Sequence, residues 1–268
     1  MTTSVSLHSG IISEHSSFYR RILQEGKAML NPNAKVVIKI KDFLFENRKF
    51  LVLAIASYFI FFFALWKPGN FFWGSDAEIF HYPARTYLYE TITKGHRFPF
   101  WTEKLLLGFP IYSDTENAYL NPVNIISIVL FGPLLSFKIV HFLHYLVASF
   151  CIKELLKKYD VGLMGWFVAN TTFFFSFFFL NHGIHIDIIT VSMLFPIAIY
   201  LMELYFQNYK LKFLVVSAVF FSYMVYWGHP QMMASVALGT LIYYLVVLAR
   251  KENLKKGLLY FFFFMSIG

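Results

Sequence analysis

Between Lys67 and Pro122 the sequence holds a polar, aromatic segment flanked by apolar runs. Its first half alone carries Asp76, Glu78, His81, Arg85, Glu90, Lys94 and His96. A loop of about fifty residues with no compositional bias is usually functional or a fold of its own. Asp76, within Trp73-Gly74-Ser75-Asp76-Ala77-Glu78, follows the first apolar run closely enough to be held at headgroup level beside a cavity. A carboxylate there suits a general base or a divalent-ion ligand. With Ser75 it also suits the N-cap of a helix starting at Ala77, and the two roles are compatible. Asp114 and Glu116 form a D-x-E pair whose oxygens suit a hard divalent cation or a solvated loop. His182, His185 and Asp187 have a spacing that zinc accepts and that a hydrated turn also produces. Lys138, His141 and Tyr145 fall at i, i+3 and i+7 on one helix face, where Lys138 pairs with a lipid phosphate or snorkels to water. His229, before Pro230, is a turn residue or a site histidine.

The elements that must position these groups are membrane helices. Of the 268 residues, 58% are hydrophobic and 14% charged, against about 25% charged in soluble domains. The net charge of +8 gathers beside apolar runs, which is membrane-topology patterning and excludes a nucleic-acid-binding stripe. Residues 1–34 read as a flexible cytoplasmic N-terminus and residues 35–49 as a basic interfacial helix. Residues 50–268 read as an all-α polytopic bundle of six to seven spans with an outer loop over 67–122. The spans are expected at 50–66, 134–152, 163–180, 188–206, 211–227 and 232–249, with a seventh beginning near Gly257 and the chain stopping inside it. Gly132-Pro133 should split the run after Pro122, leaving 123–131 as a surface-lying piece. This topology puts 17 of the 23 Lys and Arg residues on the inner side, so the N-terminus is expected in the cytoplasm. Asp76, Asp114, Glu116, His182, His185, Asp187 and His229 all then face outward. The single cysteine, Cys151, excludes an intrachain disulfide.

From Asp76 to Gly95 the pattern predicts a helix lying on the outer leaflet, with Pro83 in its first turn or at a break before it. Phe80, Ala84, Tyr87, Leu88, Thr91 and Ile92 share one face, and Arg85, Glu90 and Lys94 lie elsewhere.

The loop also carries an ordered succession: Asp76, Tyr82-Pro83, Gly95 to Pro99-Phe100-Trp101, Gly108-Phe109-Pro110 and Tyr119-Leu120-Asn121-Pro122. Gly228-His229-Pro230-Gln231 follows further on. In this order, over roughly residues 50–250, the chain resembles the N-terminal portion of the YfhO-like bacterial membrane proteins, within the GT-C type of polytopic glycosyltransferases. The resemblance implies an inner-membrane transferase that takes a sugar from a polyprenyl-phosphate-linked donor on the extracytoplasmic side. Its essential acid would match Asp76, with Asp114 or Glu116 as candidates for a second acidic or metal position. Arg85, Lys138 and His229 would be substrate-binding residues, and a divalent cation is compatible without being demanded. The ionisable residues of the second span, Lys138, His141 and His144, are also what a transporter or flippase of lipid-linked substrates would carry. A non-enzymatic membrane assembly protein is a third reading.

Overall fold

The computed structural model describes residues 32–70, 76–103, 107–182, 185–249 and 253–266. Among these every regular element is helical, apart from one isolated bridge between Thr102 and Phe109. The chain divides into two units, Met1–Leu53 and Ala54–Gly268. In the first, helix α1 (Pro32–Glu46) occupies most of the stretch expected as a basic interfacial helix. Pro32 sits at its start, where a missing N–H costs nothing. Val36, Val37, Ile40, Phe43 and Leu44 are exposed along it, as a helix that meets lipid requires. Residues 1–31, where a flexible terminus was expected, lie outside the described residues. After Asn47 comes α2 (Arg48–Phe62), tightening into a 3₁₀ turn at Phe63–Trp66.

In the second unit a wide i→i+5 turn at Asp76–His81 leads into α3 (Tyr82–Thr93). Helix α4 spans Pro122–Lys157. Then come α5 (Leu163–Phe174), α6 (Phe177–Asn181), α7 (Ile186–Met193) and α8 (Phe195–Asn208). Helices α9 (Leu211–Val225), α10 (Pro230–Tyr243, continued by a wide turn to Leu248) and α11 (Leu254–Ser266) complete it.

Among the described residues five stretches are long and apolar enough to cross a membrane: Arg48–Trp66, Pro122–Lys157, Leu163–Asn181, Asp187–Asn208 and Pro230–Leu248. Helix α9, expected as a span, has 15 residues, about 22 Å at 1.5 Å per residue, and falls short of the ~30 Å hydrocarbon thickness.

Helix α4 organises the second unit, with α3, α5, α7 and α8 packed on it. It starts where Asn121 Oδ1 accepts the N–H groups of Val123 and Asn124 at 2.9 and 3.2 Å, the side-chain cap that a helix with Pro at its first position lacks nothing else to form. At 36 residues it is about 54 Å long, and it breaks where expected. Gly132 takes φ 75° and ψ 171°, and Pro133 opens the second segment. A proline has no N–H for the preceding turn, and its ring displaces the carbonyl four residues back.

Within the bundle, polar side chains join helices across apolar surroundings. Tyr58 OH and His141 Nδ1 are 2.8 Å apart. Tyr145 OH meets Ser57 Oγ at 2.8 Å and accepts from Asn170 Nδ2 at 2.9 Å. His144 Nε2 meets Tyr223 OH at 2.6 Å. Such interhelical bonds stabilise by about 0.6 kcal/mol each. They turn inward the helix face on which His141 and Tyr145 were expected together.

Candidate functional site

Three stretches distant in sequence come together in the second unit: residues 76–121, the turn before α7 and the turn between α9 and α10. The wide turn Asp76–His81 carries the first set of groups. In α geometry residues five apart point about 140° away from each other, whereas an i→i+5 turn brings them towards one side. Asp76 and His81 both reach the start of α7. Asp76 Oδ2 lies 3.0 Å from His185 Nδ1, and His81 Nε2 lies 3.6 Å from Asp187 Oδ1. The first pair is partly open, with Asp76 49% and His185 33% exposed, while His81 and Asp187 are each 5% exposed.

A second line of contacts fixes His81. Asn117 Nδ2 donates to Asp114 Oδ2 at 2.7 Å, so its Oδ1 is the acceptor facing His81 Nδ1 at 3.0 Å. This amide orientation assigns a hydrogen to Nδ1 and turns Nε2 towards Asp187. Asp114, Asn117 and His81 thus form a hydrogen-bonded chain, more buried than the open Asp76–His185 pair, with Asp187 3.6 Å from the far ring nitrogen. Asp114 also accepts the Asn117 N–H, at 3.3 Å, while Glu116 is exposed. The D-x-E pair is therefore split, with Asp114 bonded to Asn117 and Glu116 exposed. Among the described residues no three His, Cys, Asp or Glu side chains gather to hold one. The zinc-like spacing after α6 likewise diverges: His182 Nδ1 faces Phe178 O at 2.9 Å, His185 faces Asp76, and Asp187 faces His81. The Ser75 cap expected for the helix lies outside the described residues.

Arg85 lies inside, 3% exposed, and not on the solvent side of α3. Its Nε donates to Pro133 O at 3.1 Å, Nη1 to Asn124 Oδ1 at 2.8 Å and Nη2 to Ser136 Oγ at 2.8 Å. The guanidinium carbon stands 5.7 Å from the centre of the Phe137 ring. Burial pulls its pKa down to about 9, opposed by the neighbouring Tyr119, so it stays charged at neutral pH. All three nitrogens are engaged within the protein. The arrangement makes Arg85 a tie between α3 and α4, in place of the expected phosphate ligand. Burial pushes the Tyr119 phenol upward; it remains a donor, and its hydroxyl reaches Ala84 O at 3.1 Å. Ala84, Leu88, Ile111, Tyr119 and Ile128 form the apolar cluster beside this tie.

Lys138 lies at the break in α4. It is 4% exposed, and its Nζ donates to Lys67 O at 3.2 Å. It lines a cleft of about 430 Å³ with Trp66, Gly69, Tyr82, Gly132 and Pro133. An ammonium has three hydrogens, and among the described residues Lys67 O takes one of them. The second segment of α4 begins at this cleft with its N-terminal, electropositive end. Tyr82 immediately follows the turn that carries Asp76 and His81, which connects cleft and acid–imidazole pair by one residue.

His229 has a local role: its Nδ1 accepts the Met232 N–H at 3.3 Å and caps α10. The preceding Gly228, at φ +90°, lies against the backbone of Thr115 and Glu116. Thr115 Oγ1 donates to Gly228 O at 2.9 Å, and Asn121 Nδ2 to Tyr223 O at 3.4 Å. These contacts hold segment 111–121 on the turn between α9 and α10.

Fold and site together define an all-helical protein, among its described residues, with five helices fit to cross a membrane and a polar cap built from three interhelical segments. No family model matches the chain, and no curated protein and no solved structure matches it either.

Proposed function

We propose that this protein is an integral enzyme of the bacterial inner membrane, its N-terminus cytoplasmic and its cap extracytoplasmic. In this reading it transfers a sugar from a polyprenyl-phosphate-linked donor to a glycan, lipid, wall polymer or protein acceptor. The observation that supports it is the half-open Asp76–His185 pair, one turn of chain from a cleft that contains a buried lysine. The donor brings a phosphate to the membrane boundary, where the Lys138 ammonium and the start of the second α4 segment attract negative charge. Asp76 takes the proton of the acceptor hydroxyl as that oxygen bonds to the anomeric carbon. The carbon–oxygen bond to the phosphate breaks, and its electron pair leaves with the lipid phosphate. His185 orients the Asp76 carboxylate. The polar chain from Asp114 to His81 keeps the turn in register.

The transport reading would rely on the ionisable residues of α4. His141 and His144, however, are each hydrogen-bonded to a tyrosine of a neighbouring helix, which favours structural roles for them. Proteoliposomes supplied with a labelled polyprenyl-phosphate sugar and a membrane extract as acceptor test the proposal. Label moving to an acceptor, lost in Asp76→Asn with insertion intact, supports transfer. Label crossing the bilayer unchanged supports a flippase, and the absence of both transfer and crossing supports an assembly role. Full transfer by the Asp76→Asn protein overturns the role given to Asp76.

A further inference from the structure

At the C-terminal end of α4, a helix length away from Asp76, lies a second polar cavity. Glu203 of α8 is 2% exposed there. Its carboxylate is answered on both oxygens, by an ion pair with Lys158 Nζ and by the Tyr243 hydroxyl. Over this group opens a cavity of about 400 Å³, walled by Lys158, Glu203, Tyr209, Val247, Asn253 and Lys256. Lys256 Nζ stands 3.4 Å from the centre of the Tyr209 ring. Tyr209 ends α8 in the left-handed region, at φ 48°, which turns its ring under that ammonium. Asn253 is committed locally, donating to Leu248 O at 2.7 Å.

The charges decide what such a cavity takes. It has two ammonium groups and one carboxylate, and Lys158 already neutralises the carboxylate. Among the described residues no carboxylate forms an ion pair with Lys256. Among its described lining residues the cavity therefore carries a net positive charge. One wall is apolar and open: Val247, which lines it, is 42% exposed, and its chain neighbour Val246 outside the cavity is 78% exposed, at the end of a stretch fit to cross a membrane. A small soluble anion has no use for that wall, whereas an amphiphile does. Basic pockets between membrane helices bind anionic lipid headgroups for this reason.

We propose that this cavity binds the phosphate headgroup of an anionic glycerophospholipid, with the phosphate between Lys158 and Lys256 and an acyl chain along Val246 and Val247. The site is separate from the Asp76 region and does not depend on the transfer reading. The test uses the full chain, stripped of lipid in detergent and titrated with short-chain phosphatidylglycerol, phosphatidylcholine or glycerol phosphate under native mass spectrometry. Phosphatidylglycerol should bind at least about tenfold more tightly than phosphatidylcholine, and Lys256→Gln should weaken it about fivefold. Because Lys158→Gln strands the buried Glu203 charge, the paired variant Lys158→Gln/Glu203→Gln tests that lysine, with a smaller loss expected than for Lys256→Gln because the net charge of the lining is unchanged. Lys94→Gln, at an exposed ion pair elsewhere, should bind as the unaltered chain does. Unchanged affinity in both Lys256→Gln and the paired variant overturns the proposal. Glycerol phosphate binding as tightly as phosphatidylglycerol also overturns it, assigning the cavity to a soluble phosphate ester.

Discussion

Replacing Gly228 with alanine tests how the cap is held on the bundle. A Cβ built at Gly228 falls 1.6 Å from Thr115 O and 2.0 Å from its carbonyl carbon, where ordinary contact begins at 3.4 Å. Both obstacles are backbone and cannot rotate away. The loop must withdraw by about 1.8 Å to restore van der Waals distance. That withdrawal opens the 2.9 Å bond from Thr115 Oγ1 to Gly228 O. Added to this is the cost of positive φ for an L-residue, about 1–2 kcal/mol, and of overpacking, about 1–3 kcal/mol. The total is about 2–5 kcal/mol, or roughly 6–15 °C in melting temperature at about 3 °C per kcal/mol. Gly69 is the matched control: it has φ +78° but nothing within 4 Å of its added Cβ. Gly69→Ala should show the strain component alone, about 1–2 kcal/mol. Thermal unfolding of both variants in detergent, with amide exchange over residues 111–121, separates the two components. Gly228→Ala should melt lower than Gly69→Ala and expose 111–121 to exchange. Equal melting of the two, with unchanged exchange in that segment, would refute the argument from close approach.

Three further outcomes follow from the same contacts. Arg85→Lys cannot reproduce a three-nitrogen fork. It should destabilise by about 3 kcal/mol, at 1.5–3 kcal/mol per charge-assisted bond, and unaltered melting would remove the tie assigned to it. Lys138→Gln should raise the apparent KM for a lipid-linked donor about tenfold, equivalent to one charge-assisted bond, with kcat within about twofold. A fall in kcat at constant KM would contradict a ground-state phosphate contact. Tyr58→Phe deletes the 2.8 Å bond to His141 and should cost about 0.6 kcal/mol, with ~1.7 as the upper bound. A double-mutant cycle with His141→Gln showing no coupling would count against that bond.

The membrane-length helices were legible because apolar runs of this length have few other uses. So was the break in α4, since a proline inside a helix removes a bond whatever surrounds it. The helix after Asp76, with Pro83 in its first turn, was legible for the same reason. Arg85 was not. On hydropathy a guanidinium belongs outside, and its inward position depends on Asn124 Oδ1, Ser136 Oγ and Pro133 O, all at least 39 positions away. The pairing of Asp76 and His81 with the start of α7 was hidden by the wide turn, because α periodicity sets those two residues far apart around the axis. Asn117 was missed as well. Its one signal was the Asp114-x-x-Asn117 spacing, which local turns use freely. The split of Asp114 from Glu116 follows from that bond, which draws one carboxylate inward and leaves the other in solvent.

The three acceptors of Arg85 sit on opposite sides of the discontinuity at Gly132: Asn124 precedes it, and Pro133 and Ser136 follow it. One guanidinium thus bolts together two rods that would otherwise pivot. The bolt is mounted on α3, four residues beyond His81, so the helix that follows the acid–imidazole turn is the one fastened across the joint.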